Sequence, residues 1–261
     1  MTGIITATAV VAVVGIFIGI FLGIAAIWFH VETDPREEAI LQLLPGNNCG
    51  GCGFPGCLGL AAAIARKEAG VNGCPVGGQK VADKIAEVMG VEAIQEEKMV
   101  AFVRCAGDCN KTKTDYEYTG TKDCSMMAFV PSGGPKSCNY GCTGYGDCVR
   151  VCSMQAISIQ NRIAVVDKEL CESCGNCVKA CPKNLIEMVP YKALSRVACS
   201  SKDKGPMVIK SCQVGCIACG ICVKNCPEGA ITIDNFLAKI DYSLCTNCGI
   251  CKEKCPKNAI I

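Results

Sequence analysis

The chain has a single histidine, His30, in 261 residues, and aromatic residues make up only 5% of it. One imidazole beside a long apolar run leaves no acid–base triad to assemble, and no flavin or nucleotide motif offers a site for hydride chemistry. Charge is nearly balanced as well. A formal net charge of +2 is too small to argue for phosphate neutralisation, and no basic stripe is interleaved with aromatics, so nucleic acid is not an expected partner. Gly51, Gly53 and Gly56 satisfy G-x-G-x-x-G, but no strand precedes them, Pro55 sits inside, and Cys52 between them is a candidate ligand. No Lys or Arg precedes the first apolar run, so a cleavable secretion signal lacks its charged start.

What precedes the charged part is apolar. From Ile4 to Trp28 the run is interrupted only by Thr6 and Thr8, and as a helix it exceeds the roughly 30 Å hydrocarbon core of a bilayer. The expectation is a retained, single-pass transmembrane anchor over residues 1–30 in the cell membrane. Gly15, Gly19 and Gly23 recur every four residues and would let another membrane helix approach one face. Arg36 is the one basic residue close to the membrane, which puts the remainder of the chain on the cytoplasmic side.

Cysteine is what the chain has in excess, 25 in all, mostly in runs of C-x-x-C-x-x-C-x-x-x-C-P. That spacing suits cubane iron–sulfur clusters, and in two-cluster ferredoxins the fourth cysteine of each run ligates the other cluster. Cys216, Cys219 and Cys222 therefore pair with Cys255, and Cys245, Cys248 and Cys251 with Cys226, each set holding one [4Fe–4S] cluster. Zinc ribbons use two separated pairs rather than a triplet with a remote Cys-Pro, and disulfide frameworks belong to short secreted domains. Thiols in this number point to a reducing compartment.

Residues 137–181 repeat without gaps as 211–255, so two ferredoxin-like modules stand in tandem. The first copy has Tyr145 where the second has Cys219, and Ser153 where it has Pro227. Cys171, Cys174, Cys177 and Cys152 make its regular set. For the other, Cys138 is expected to complete Cys142, Cys148 and Cys181, although its counterpart Cys212 has no such duty. Upstream, Cys49, Cys52 and Cys57 sit on a glycine-rich loop and Cys74 follows one helical segment later, a further cluster set, with helices expected at Leu58–Ala69 and over residues 79–100, interrupted at Gly90. Cys105, Cys109 and Cys124 could supply three ligands of a sixth cluster with Cys138 as the fourth, which leaves two uses of Cys138 open. Cys199 and Cys212 read best as buried thiols. At least five [4Fe–4S] clusters are implied, and a sixth is left open.

The fold class expected is α+β. Its parts are the anchor at 1–30, a small, mostly helical four-cysteine domain at 31–100, and a cysteine-containing linker at 101–136 that could hold the extra cluster. Ferredoxin-like module 1 follows at 137–190, then a connector at 191–210 and module 2 at 211–261. Short strands are expected at Ala156–Ile159 and Ala230–Ile233. The anchor, the Cys49–Cys74 domain, VACSSKDKG at 197–205, GCIACGIC at 215–222 and the tandem modules together resemble the B subunit of the Rnf complex, in the cysteine-rich form found in anaerobes. The resemblance implies an iron–sulfur component of an ion-translocating (Na⁺ or H⁺) ferredoxin:NAD⁺ oxidoreductase. It also implies reduced ferredoxin as donor, and integral-membrane and flavin-carrying subunits as partners. The alternatives are an electron-transfer subunit of a hydrogenase or formate dehydrogenase, and a membrane-tethered redox sensor.

Overall fold

The computed structural model describes residues 2–28, 34–95 and 97–261, and His30 lies outside them. Helix α1 (Thr2–Trp28) is 27 residues long, about 40 Å at 1.5 Å per residue. Its large apolar side chains from Ile5 to Ile24 are 50–72% exposed. Among the described residues no helix is long and apolar enough to cross a membrane.

Three helices build the first packed unit. In α2 (Pro35–Leu43) proline takes the first turn, where its missing N–H is no loss, and the Asp34 carboxylate accepts from the Arg36 N–H at 2.9 Å. The apolar helix α3 (Gly56–Ala65) packs Leu60, Ala61 and Ile64 against Ile40 and Leu44 of α2 and Ile85 of α4 (Gly78–Met89), with Cys52, Cys57 and Cys74 on the rim of this core. Helix α4 ends at Gly90, whose φ of +66° is the left-handed cap that glycine adopts without strain. The helix expected to resume toward Val100 does not. Met99–Val103 is instead strand β1, its residues from Val100 onward buried, because its β-branched and aromatic side chains fill the core under an antiparallel partner.

Two copies of one plan follow. The first comprises α5 (Asp147–Arg150), the hairpin of β2 (Ile157–Gln160) and β3 (Ile163–Val166), α6 (Asn176–Ala180), and β4 (Ile186–Pro190), which pairs with β1 in the register Met99↔Pro190 to Val103↔Ile186. The second comprises α7 (Gly205–Ser211), α8 (Ile221–Lys224), the hairpin of β5 (Ile231–Asp234) and β6 (Leu237–Ile240), and α9 (Ile250–Glu253). Both hairpins turn on two consecutive positive-φ residues, Asn161–Arg162 and Asn235–Phe236, the primed turn that matches strand twist. In the second copy the place of the β1–β4 ladder is taken by the bridge Val197↔Ile260.

Residues 104–115, expected as part of a linker, stitch the two copies together. Ala106 N–H donates to Ala198 O at 3.0 Å and Cys109 N–H to Asn161 O at 3.0 Å. Lys113 N–H donates to Ser211 O at 3.1 Å, and Gln213 N–H to Lys111 O at 2.8 Å. These backbone partners come from both modules, so the segment lies between them.

Candidate iron–sulfur sites

One local device recurs wherever the motif C-x-x-C-G-x-C occurs. The glycine adopts φ between +73° and +79° at Gly175, Gly220 and Gly249 and starts a helix whose first turn buries the third cysteine, Cys177, Cys222 or Cys251. The residue before the second cysteine also has positive φ, at Ser173, Ala218 and Asn247. The backbone thereby wraps a concave loop whose thiols point inward. The first run of module 1 has the same loop, with Gly144 at φ +75° and Gly146 at +87°, although Tyr145 stands in the cysteine position. Gly144 is required twice over, since a Cβ there would meet Arg162 O at 2.5 Å.

Four small cavities of equal size, about 20 Å³ each, are each lined by four cysteines. Cys216, Cys219, Cys222 and Cys255 line one, and Cys152, Cys171, Cys174 and Cys177 another, the sets the spacing implies. A third is lined by Cys124, Cys142, Cys148 and Cys181. Cys138, expected there, lines the fourth cavity with Cys105, Cys199 and Cys212. The correction has a physical cause. The Asp147 carboxylate accepts from the N–H groups of Cys124 at 2.9 Å and Ser125 at 3.1 Å, which pins Cys124 over the gap left by Tyr145, where Thr143 Oγ1 lies 3.5 Å from Cys124 Sγ. Cys105, Cys109 and Cys124 consequently do not meet as one set, and Cys109 is exposed. Cys199 and Cys212 are buried thiols, as expected, but they are gathered with two others, which their sequence spacing does not reveal. The signal that could have found them is the repeat itself, since Cys138 and Cys212 are equivalent positions.

The remaining sets are seen through their neighbours. Cys52 and Cys57 lie close enough to Cys74 to add to the rise in its thiol pKa that burial begins, and Gly77 N–H donates to Cys74 Sγ at 3.3 Å. Cys226 and Cys251 pack on the core of module 2, with Cys245 half-buried and Cys248 exposed.

The donor sets, four thiols to a pocket, suit an iron–sulfur cluster. Among the described residues no three His, Cys, Asp or Glu side chains are grouped so as to hold a single metal ion. Burial pushes the Cys148 thiol up to about 12, with neighbouring thiolates adding to it, and the thiols of Cys177, Cys199 and Cys222 up to about 11. Each of the four cavities holds one of these thiols, and four thiolates gathered in one cavity would need a compensating positive charge, which iron would provide. Backbone N–H groups already aim at the sulfurs: Leu185 at Cys181 (3.4 Å), Ala259 at Cys255 (3.3 Å) and Ala101 at Cys171 (3.4 Å).

Five of the sets lie beside one another in a row. Asn176 Nδ2 donates to Cys49 O at 3.0 Å, and Gly51 packs so closely on Cys174 that a Cβ would fall 2.6 Å from its carbonyl oxygen. Cys177 contributes to the raised thiol of Cys148. Cys142 N–H donates to Cys105 Sγ at 3.4 Å, and Cys216 N–H to Cys199 Sγ at 3.3 Å.

Comparison with known proteins agrees with this pattern. Residues 44–76 match the Fe-S cluster family, and residues 137–185, 170–231 and 215–260 match 4Fe-4S dicluster domains. The chain is 47% identical to the B subunit of the Na(+)-translocating ferredoxin:NAD(+) oxidoreductase complex of Acetobacterium woodii, over 94% of this chain and 74% of that one. It is 43% identical to the B subunit of the ion-translocating oxidoreductase complex of Methanosarcina acetivorans, over 93% and 92%. With the B subunit of the proton-translocating ferredoxin:NAD(+) oxidoreductase complex of Clostridium ljungdahlii the identity is 40%, over 94% and 87%. Likeness at this level along nearly the whole chain means that it belongs to the family of B subunits of the Rnf complexes, the ion-translocating ferredoxin:NAD⁺ oxidoreductases.

Proposed function

We propose that this chain is the membrane-anchored electron relay of its complex, built on six [4Fe–4S] clusters that receive electrons from reduced ferredoxin and lead them toward the membrane subunits. The observation that carries the reading is the row of cysteine sets, the first five of them each beside the next, four of them seen as four-cysteine pockets. A bound cubane takes up and returns one electron without proton or hydride bookkeeping. The chain's own residues do the rest, holding the sites in line, donating N–H groups to sulfur and keeping water out.

The ligand sets we assign are, in spatial order, Cys49, Cys52, Cys57 and Cys74; Cys152, Cys171, Cys174 and Cys177; Cys124, Cys142, Cys148 and Cys181; Cys105, Cys138, Cys199 and Cys212; Cys216, Cys219, Cys222 and Cys255; and Cys226, Cys245, Cys248 and Cys251. They use 24 of the 25 cysteines and leave Cys109. The set centred on Cys199 bridges the two ferredoxin-like modules. Without it the modules would be separate relays.

Direction follows from exposure and charge. Cys219 and Cys248, both in module 2, are the exposed ligands of the six sets. Lys224, Lys252 and Lys254 are exposed around them and Lys257 is half-exposed, a rim that would steer an acidic ferredoxin. The opposite end of the row is the Cys49–Cys74 unit, next in sequence to α1. We assign the apolar run Ile4–Trp28 as the anchor on its sequence, with large apolar side chains that stand exposed among the described residues, and place the cluster-bearing part in the reducing cytoplasm. The hydrogenase-type alternative has no place for the Cys49–Cys74 unit, and a sensor needs no row of six sites.

The test is to mix anaerobically purified, full-length protein with reduced ferredoxin and follow electron paramagnetic resonance alongside iron and acid-labile sulfide. The proposal expects about 24 of each per chain, and cluster signals that appear as ferredoxin is oxidised. Ferredoxin left reduced beside a fully loaded chain would overturn the donor assignment.

A further inference from the structure

Lys136 is 4% exposed, which for lysine ordinarily requires an anionic partner. Among the described residues no carboxylate lies within ion-pairing distance of it. Its Nζ donates to two backbone carbonyls, Gly107 O at 2.9 Å and Arg162 O at 3.2 Å. Gly107 lines the Cys105–Cys138–Cys199–Cys212 cavity, and Lys136 also acts on the thiol of Cys142 in the neighbouring cavity. Lys183 also lies beside both cavities. It lines the Cys124–Cys142–Cys148–Cys181 cavity, and its Nζ donates to Asn139 O at 3.0 Å and Gly141 O at 3.2 Å, Gly141 being part of the bridging cavity wall. It too lacks a carboxylate partner among the described residues.

A buried cation without a counter-ion costs several kcal/mol, unless an anion belongs beside it. A four-thiolate cluster is anionic and becomes more so on reduction, and net charge nearby is one of the levers on its potential. We propose that Lys136 and Lys183 are positioning residues for the relay, fixed ammonium groups between the bridging cluster and its module 1 neighbour that stabilise the reduced state of both. The inference rests on the ligand sets assigned above. The repeat supplies a control within the same molecule, since the counterpart of Lys136 in module 2 is Lys210, which is exposed.

The experiment is an electron paramagnetic resonance-monitored redox titration of the holoprotein with Lys136→Met, Lys136→Arg, Lys183→Met and Lys210→Met. A unit charge removed at roughly 10 Å in a medium of effective dielectric ~20 changes the reduction equilibrium roughly tenfold, or about 59 mV for one electron. Lys136→Met is expected to lower the midpoints of two clusters by that amount, Lys136→Arg to restore them, and Lys210→Met to leave every midpoint in place. Full iron content with unmoved midpoints in Lys136→Met overturns the proposal and leaves the lysine a packing role. Should Lys136→Met fail to assemble, Lys183→Met must lower the same two midpoints, and unmoved midpoints there overturn it equally. A parent protein well short of about 24 irons defeats the ligand sets first, and this proposal with them.

Discussion

Replacing Cys124 by Ala removes one ligand from the cavity it shares with Cys142, Cys148 and Cys181. Six four-cysteine sets predict about 24 irons per chain, so loss of one cubane leaves about 20. The same count is expected for Cys138→Ala, because that residue serves the bridging cavity. What separates the two is rescue. Gly144 and Gly146 give the Tyr145 loop the backbone of the other C-x-x-C-G-x-C loops, so Tyr145→Cys should place a thiol where Cys219 stands in module 2. Iron in Cys124→Ala/Tyr145→Cys should return to about 24, whereas Cys138→Ala/Tyr145→Cys should stay near 20. Iron and acid-labile sulfide per chain on anaerobically prepared protein read this directly. Rescue of Cys138→Ala and not of Cys124→Ala would refute the reasoning and return Cys138 to the ferredoxin set.

Gly144→Ala combines a left-handed φ with a Cβ placed 2.5 Å from Arg162 O, and is expected to cost at least about 1–3 kcal/mol, read as a lower unfolding midpoint of the holoprotein. An unchanged midpoint would show that the β2–β3 turn gives way freely. Reduction of the chain by ferredoxin should slow as salt rises, and slow further with Lys224, Lys252 and Lys254 changed to Glu, because a Debye length of about 10 Å at 0.1 M screens steering. A stopped-flow rate indifferent to both changes would place the donor elsewhere. Burial holds the Cys148 thiol at about 12 and its counterpart Cys222 at about 11, above the ordinary 9, so protons compete strongly with iron for these ligands. Cluster absorbance should therefore fall as pH is lowered, and a loss that grows as pH rises would contradict that sign.

The parts of this molecule that were legible in the sequence are those fixed by local backbone geometry. C-x-x-C-G-x-C dictates its own loop, because glycine at the left-handed position and the helix turn after it place three thiols without outside help. The first strand of each hairpin lies within a residue of its expected position, whereas the returning strands β3 and β6 were not read from the sequence. What could not be read depended on tertiary contact. Cys124 reaches its cavity because Asp147, 23 residues away, holds its backbone. Cys105, Cys138, Cys199 and Cys212 meet because residues 104–115 run between two modules that each supply part of the wall. Met99–Val103 carried a pattern that suited helix or strand, and pairing with β4 decided it. The burial of Lys136 has no sequence signature, since the equivalent Lys210 is exposed.

If the four-cysteine sites form one continuous relay, interrupting the bridge between the modules should stop it while leaving both ends intact. Cys199→Ala in the assembled complex, assayed for ferredoxin-dependent NAD⁺ reduction together with iron content, is that interruption. The relay predicts activity at background with about four irons lost and module 2 still reduced by ferredoxin. Turnover retained at the parent rate with those irons gone would contradict it.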